Sequence, residues 1–138
     1  MKRHRYPVLL GLVLGVSAAA AGCRGPAVGP CVPVQGKVTL AGKPLVGGTV
    51  SFVALDGDAN RPRPEGEVDP QGLYAVRTGG TDGAPVGKYR VIVTTSGLDK
   101  KQDAQFNPVY SHAEKSPLLV QVTENPPAGA YDLKLDPR

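Results

Sequence analysis

A chain of 138 residues with 18 glycines, 14 prolines, five tyrosines and no tryptophan has the length of one domain. It is interrupted too often for a helical bundle and suits short strands and turns. The formal charge of +4 owes most to Lys2, Arg3 and Arg5, with no acid before Cys23. Beyond them the chain is nearly neutral, which excludes a nucleic-acid-binding reading.

The first 22 residues have the three parts of a secretory signal: the basic "MKRHR", the apolar "YPVLLGLVLGVSAAAAG", and small residues before a cut site. Pro7, Gly11 and Gly15 interrupt an apolar run already shorter than the roughly 20 residues of a spanning helix. The run ends in "AAGC", Ala20 to Cys23, which resembles the lipobox of bacterial lipoproteins. That resemblance implies cleavage just before Cys23 and diacylglycerol and acyl chains on its sulfur, because a thiol is the strongest nucleophile among neutral side chains. Ala20 stands where the family usually has Leu. Two or three acyl chains hold a protein firmly to a bilayer. The alternatives are ordinary signal cleavage after an Ala-x-Ala site and an uncleaved anchor.

"RGPAVGPCVP" follows, so that residues 23–33 read as a lipidated cysteine and a Gly/Pro linker. Cys31 is a spare thiol or an intermolecular bridge if Cys23 is acylated, and its disulfide partner if not. From Val34 the period changes to two. "VQGKVTL" points Val34, Val38 and Leu40 one way and Gln35, Lys37 and Thr39 the other. "AGKP" is a turn, "VGGTVSFVAL" a strand with Val50 and Phe52 inward, and "DGDANRPRPEG" a charged loop. "EVDPQGLYAV" is a hairpin about a type I turn at Asp69 to Gly72. After the loop "TGGTDGAPV", "GKYRVIVTT" turns Tyr89, Val91 and Val93 inward. Residues 96–117 show no sustained period. "LLVQVT" and "AYDLKL" complete seven strands, predicting an antiparallel β-sandwich over residues 34–138.

"GKVTLAGKPLVGGTVSF" (36–52), "DPQGLYAV" (69–76) and "GKYRVIV" (87–93), in that order and spacing, resemble carboxypeptidase regulatory-like domains. The whole chain resembles small bacterial lipoproteins built from one such domain. The resemblance covers residues 34–135 and implies a transthyretin-like, Ig-like sandwich and a non-catalytic accessory or interaction role.

Candidate chemistry is sparse. "GKY" lacks the glycine spacing and the Ser or Thr of a phosphate loop. Asp56, Asp58, Asn60 and Glu67 fall at positions 1, 3, 5 and 12 of a calcium-loop template, but Arg61 occupies the required Gly and two prolines oppose the wrap; they are the candidate weak calcium ligands. His112, the one histidine after the leader, and Ser111 are neighbours that point apart on an extended chain. The transthyretin-like fold also hosts hydroxyisourate hydrolase, whose several histidines and C-terminal Tyr-Arg-Gly-Ser have no counterpart in "DLKLDPR". Outward-facing Lys37 opposes an internal Lys–Asn cross-link. Phe106 and Tyr110, in the long loop, are the candidate aromatics for stacking a glycan.

These readings predict a lipid-anchored protein of the bacterial cell envelope, facing the periplasm or exterior. It acts without catalysis or a dissociable cofactor, as a structural or protein-interaction module. Its partners are the membrane and an envelope protein or second copy added at a sheet edge. The runner-up is a weak carbohydrate- or small-ligand-binding module on the same scaffold.

Overall fold

The computed structural model describes residues 28–57, 60–96 and 98–138. Residues 1–22, expected to be a leader, Cys23 with its expected lipidation, and Asp58 lie outside the described residues. The described chain is an all-β sandwich. Its strands are β1 Cys31–Val32, β2 Gln35–Leu40, β3 Lys43–Pro44, β4 Thr49–Ala54, β5 Glu65–Glu67 and β6 Leu73–Ala75. There follow β7 Arg77–Thr78, β8 Thr81–Asp82, β9 Ala84–Pro85, β10 Gly87–Thr94, β11 Leu119–Val122 and β12 Leu133–Leu135. The larger sheet runs β11-β10-β4-β5-β7-β8, with every ladder antiparallel. In the smaller, β2 is flanked by β12 on one side and pairs with β3 and β6.

Period-two alternation decides which side chains meet between the layers. Val38 and Leu40 of β2 and Tyr89, Val91 and Val93 of β10 are all buried, while Lys37 and Lys88 are exposed. Phe52 of β4 lies between two tyrosines, with ring centroids 6.4 Å from Tyr74 and 5.6 Å from Tyr89. At the hairpin turn the Asp69 carboxylate accepts the Gln71 and Leu73 amides, each at 2.9 Å, and the Gly72 amide donates to the Asp69 carbonyl. Ala41 and Gly42, with φ of 52° and 79°, make the tight turn from β2 to β3.

Four features depart from the sequence expectation. First, the strands are more numerous and shorter than seven, because the supposed loops carry two- and three-residue ladders of their own. Second, β12 runs parallel to β2 (Leu133 beside Val38, Leu135 beside Leu40). The chain leaves β11 beside Gly87, crosses between layers through residues 123–132, and then runs alongside β2 with no hairpin to force an antiparallel pair.

Third, the linker ends early: Cys31 and Val32 pair with Pro85 and Ala84. Gly83 permits this, since a Cβ there would lie 2.1 Å from the Val32 carbonyl oxygen. Fourth, residues 98–117, which show no sustained period, carry α1 at Lys100–Gln105 and a 3-10 turn at Pro108–Ser111. The Asp99 carboxylate caps α1 by accepting the Gln102 amide at 2.7 Å, and the Asn107 side chain caps the 3-10 turn. Beyond Arg90, where β11 ends, the hydroxyls of Ser116 and Ser111 donate to the Val91 and Val93 carbonyls and stand in for the absent strand.

Candidate functional site

At the end of the larger sheet where β4 finishes and β10 begins, the loop after β4, the β9–β10 junction and the N-terminal segment enclose a cavity of about 340 Å³. That lies within the usual range for small-ligand sites, roughly 300–1,000 Å³. Phe52 and Tyr89 form its floor, and Val28 and Gly29 line it from the N-terminal side. One wall is the stretch Arg61–Pro64, tied to β4 by the Phe52 amide donating to the Pro64 carbonyl at 2.8 Å. The other is the β9–β10 junction with Val86 and Lys88.

The prolines shape that first wall. A residue before proline is held extended, and an extended chain sends alternate side chains the same way. Arg61 and Arg63 both precede a proline; they are exposed, while Pro62 and Pro64 turn inward. Lys88 adds a third cation and Asp56 the one acid of the lining. Among the described residues the single ion pair is Arg77–Asp82, elsewhere on the surface. Arg61, Arg63 and Lys88 therefore stand without a carboxylate partner among the described residues.

The Tyr89 hydroxyl donates to the Pro85 carbonyl at 2.7 Å, fixing the ring against the junction. Burial pushes this hydroxyl above the ordinary phenol pKa; the Cys31 thiol adds to the shift, and the Arg61 guanidinium opposes it. Arg61 and Tyr89 line the same cavity. The Thr78 hydroxyl also borders the cavity but is committed to the Gly83 carbonyl at 2.6 Å.

The sequence-predicted site residues do not assemble. Glu67 pairs with Thr49, at the opposite end of β4 from Ala54, a separation of five residues or about 16 Å. Asp56 and Asn60 lie beyond Ala54, so the calcium template cannot close, and among the described residues no group of three metal-binding side chains occurs. Phe106 and Tyr110 offer no stacking platform: both are buried, in an edge-on pair 6.1 Å apart. The Tyr110 hydroxyl accepts the Asp136 amide at 2.9 Å. Ser111 is committed to Val93, and His112 is exposed beside it. Cys31 is half-buried and free, its thiol turned towards the Gly29 carbonyl at 3.5 Å.

The residues that sequence reasoning missed are Arg61, Arg63 and Lys88. "RPRP" carried a signal for the first two, since its alternation places both arginines on one side of an extended chain. Comparison with protein families, curated proteins and solved structures finds no match to this chain. Among the described residues no helix is long and apolar enough to cross a membrane.

Proposed function

We propose that the chain is a non-catalytic envelope module, held on a bacterial membrane by lipid on Cys23 and built on a carboxypeptidase regulatory-like sandwich. The observation that carries this reading is the attachment of the N-terminal strand. β1 begins eight residues after Cys23 and is paired to β9 beside the cavity. A lipid on Cys23 would then hold this end of the sandwich, within about 28 Å of chain, against the bilayer. The resemblance is supported by the positions of its three motifs, which fall on β2 to β4, the β6 hairpin and β10.

Intact mass of the mature protein extracted from membranes tests the anchor. The expected species begins at Cys23 and carries diacylglycerol and an acyl chain, and Cys23→Ser releases the protein from the membrane fraction. A mature chain that starts elsewhere without lipid overturns the reading.

The cavity favours the small-ligand form of the second reading over its carbohydrate form. Its lining offers apolar surface and cations with no carboxylate partner among the described residues, whereas the two aromatics expected to stack a sugar are inside the core. Edge pairing with an envelope protein or a second copy would use β11, whose outer side meets no strand among the described residues.

A further inference from the structure

We propose that the cavity binds the phosphate headgroup of an anionic phospholipid in the membrane that carries the anchor. This inference deepens the binding function and rests on the anchoring of Cys23. Three observations converge on it.

The first is charge. Arg61, Arg63 and Lys88 line one cavity; among the described residues of its lining Asp56 is the one acid, and none of the three cations has a carboxylate partner among the described residues. Like charges gathered without partners repel one another, and a recess with low-dielectric walls focuses their field. A phosphate diester supplies the missing charge, and its oxygens match the donor forks of two guanidiniums.

The second is polarity. A site for free phosphate needs only donors, whereas this cavity has a floor of Phe52 and Tyr89 and a wall of Pro62 and Pro64. Those surfaces suit the glycerol and first methylenes of a lipid. Within the lining itself, Val86 is 55% exposed. An exposed aliphatic side chain next to a cation, as Val86 is to Lys88, suits a surface that rests in the headgroup region.

The third is position. Val28 and Gly29 line the cavity only five and six residues after Cys23. Five residues span at most about 18 Å. A chain tethered there cannot carry the cavity far from the headgroups, so lipid is the anion present at the highest local concentration.

The test is nuclear magnetic resonance of the full-length protein in neutral detergent micelles, titrated with dihexanoyl-phosphatidylglycerol. The expected result is saturable movement of the Arg61 and Arg63 side-chain and Lys88 amide signals. Dihexanoyl-phosphatidylcholine and inorganic phosphate should each bind at least ten-fold more weakly. The triple variant Arg61→Gln/Arg63→Gln/Lys88→Gln should lose at least ten-fold in affinity while its other amide signals stay in place. Equal binding of phosphatidylcholine would overturn the charge recognition, and equal binding of inorganic phosphate would overturn the assignment to lipid. Unchanged affinity in the triple variant would move the site elsewhere and so end the proposal. Intact mass of the same sample reports on Cys23 independently. A lipidated chain that fails to bind refutes the cavity's role alone, and an unlipidated chain that binds refutes the anchor alone.

Discussion

The two ends of the sandwich treat their polar groups in opposite ways. At the far end, where β10 finishes at Thr94, the 98–117 segment seals the layers. The Gln102 side chain donates to the Pro44 carbonyl and accepts the Val46 amide, both at 2.8 Å, while Tyr110 fills the core and accepts the Asp136 amide. Arg90, midway along β10, donates through Nη1 to the Ala113 and Glu114 carbonyls, while its buried Nε makes no hydrogen bond among the described residues. At the near end three cations line an open cavity and have no such partners among the described residues. Polar groups used up internally mark structure. The same groups left facing a recess mark a place for something else.

The sharpest way to break that contrast is to remove one group from each end. Tyr110→Ala empties a buried aromatic site and leaves the Asp136 amide unsatisfied, so it should destabilise the fold by about 3–5 kcal/mol. Arg61→Ala/Arg63→Ala removes two exposed side chains and should change stability by less than about 0.5 kcal/mol. Chemical denaturation of both variants decides the matter. Comparable losses would mean that the arginines also hold the fold together and that the near end is not free for a ligand.

A smaller effect separates the ends at the level of backbone. Gly42, in the far turn, has φ of 79° and open space around its α-carbon. Gly83, beside the cavity, has φ of 93° and also packs against the Val32 carbonyl. Gly42→Ala should therefore pay only left-handed strain, about 1 kcal/mol. Gly83→Ala adds a collision, should cost about 2–3 kcal/mol, and should part β1 from β9. Hydrogen exchange at Val32 and Ala84 should accelerate in Gly83→Ala and stay slow in Gly42→Ala. Equal costs, or undisturbed exchange, would show that the attachment of the N-terminal strand is not what positions it.

How much of this was legible in the sequence differs between the ends for the same physical reason. Alternation in "GKYRVIVTT" and the Asp-Pro-Gln-Gly turn report local geometry, and β10 and the Asp69 hairpin followed from them. The inward face of Tyr89 was equally readable from period two. The helix α1 has six residues, too few to show an apolar stripe, and is stabilised by Gln102 bonding to a segment nearly 60 positions away. Its one local trace was Asp99 three residues before Gln102, the spacing of a capping box. The cavity was hidden more deeply. Arg61 and Lys88 line one cavity only because β4 and β10 are neighbours in register, with Tyr89 opposite Ala54. A parallel β12 was likewise invisible, since strand direction depends on which side of the sandwich a crossover takes.

The smallest effect concerns the two tyrosines that flank Phe52. Tyr74 donates to the Tyr131 carbonyl at 2.6 Å, and its hydroxyl pKa is raised strongly by burial, then by Asp132 and Tyr131. Tyr89 donates to Pro85 at the cavity edge and is raised by burial with Arg61 in opposition. In both, the fold favours the protonated phenol. The stabilisation is therefore complete below the unfolded value of about 10 and is lost as pH rises through the folded values. Tyr74→Phe should cost about 1–2 kcal/mol at neutral pH, because it leaves the Tyr131 carbonyl buried without its donor. It should also flatten the alkaline loss of stability. Tyr89→Phe should cost less, since solvent in the cavity can reach the Pro85 carbonyl in place of the hydroxyl. Thermal unfolding between pH 7 and 11 distinguishes them. If Tyr89→Phe proves the costlier change, with the steeper effect on the alkaline limb, then the cavity floor is as dry as the core and no headgroup enters it.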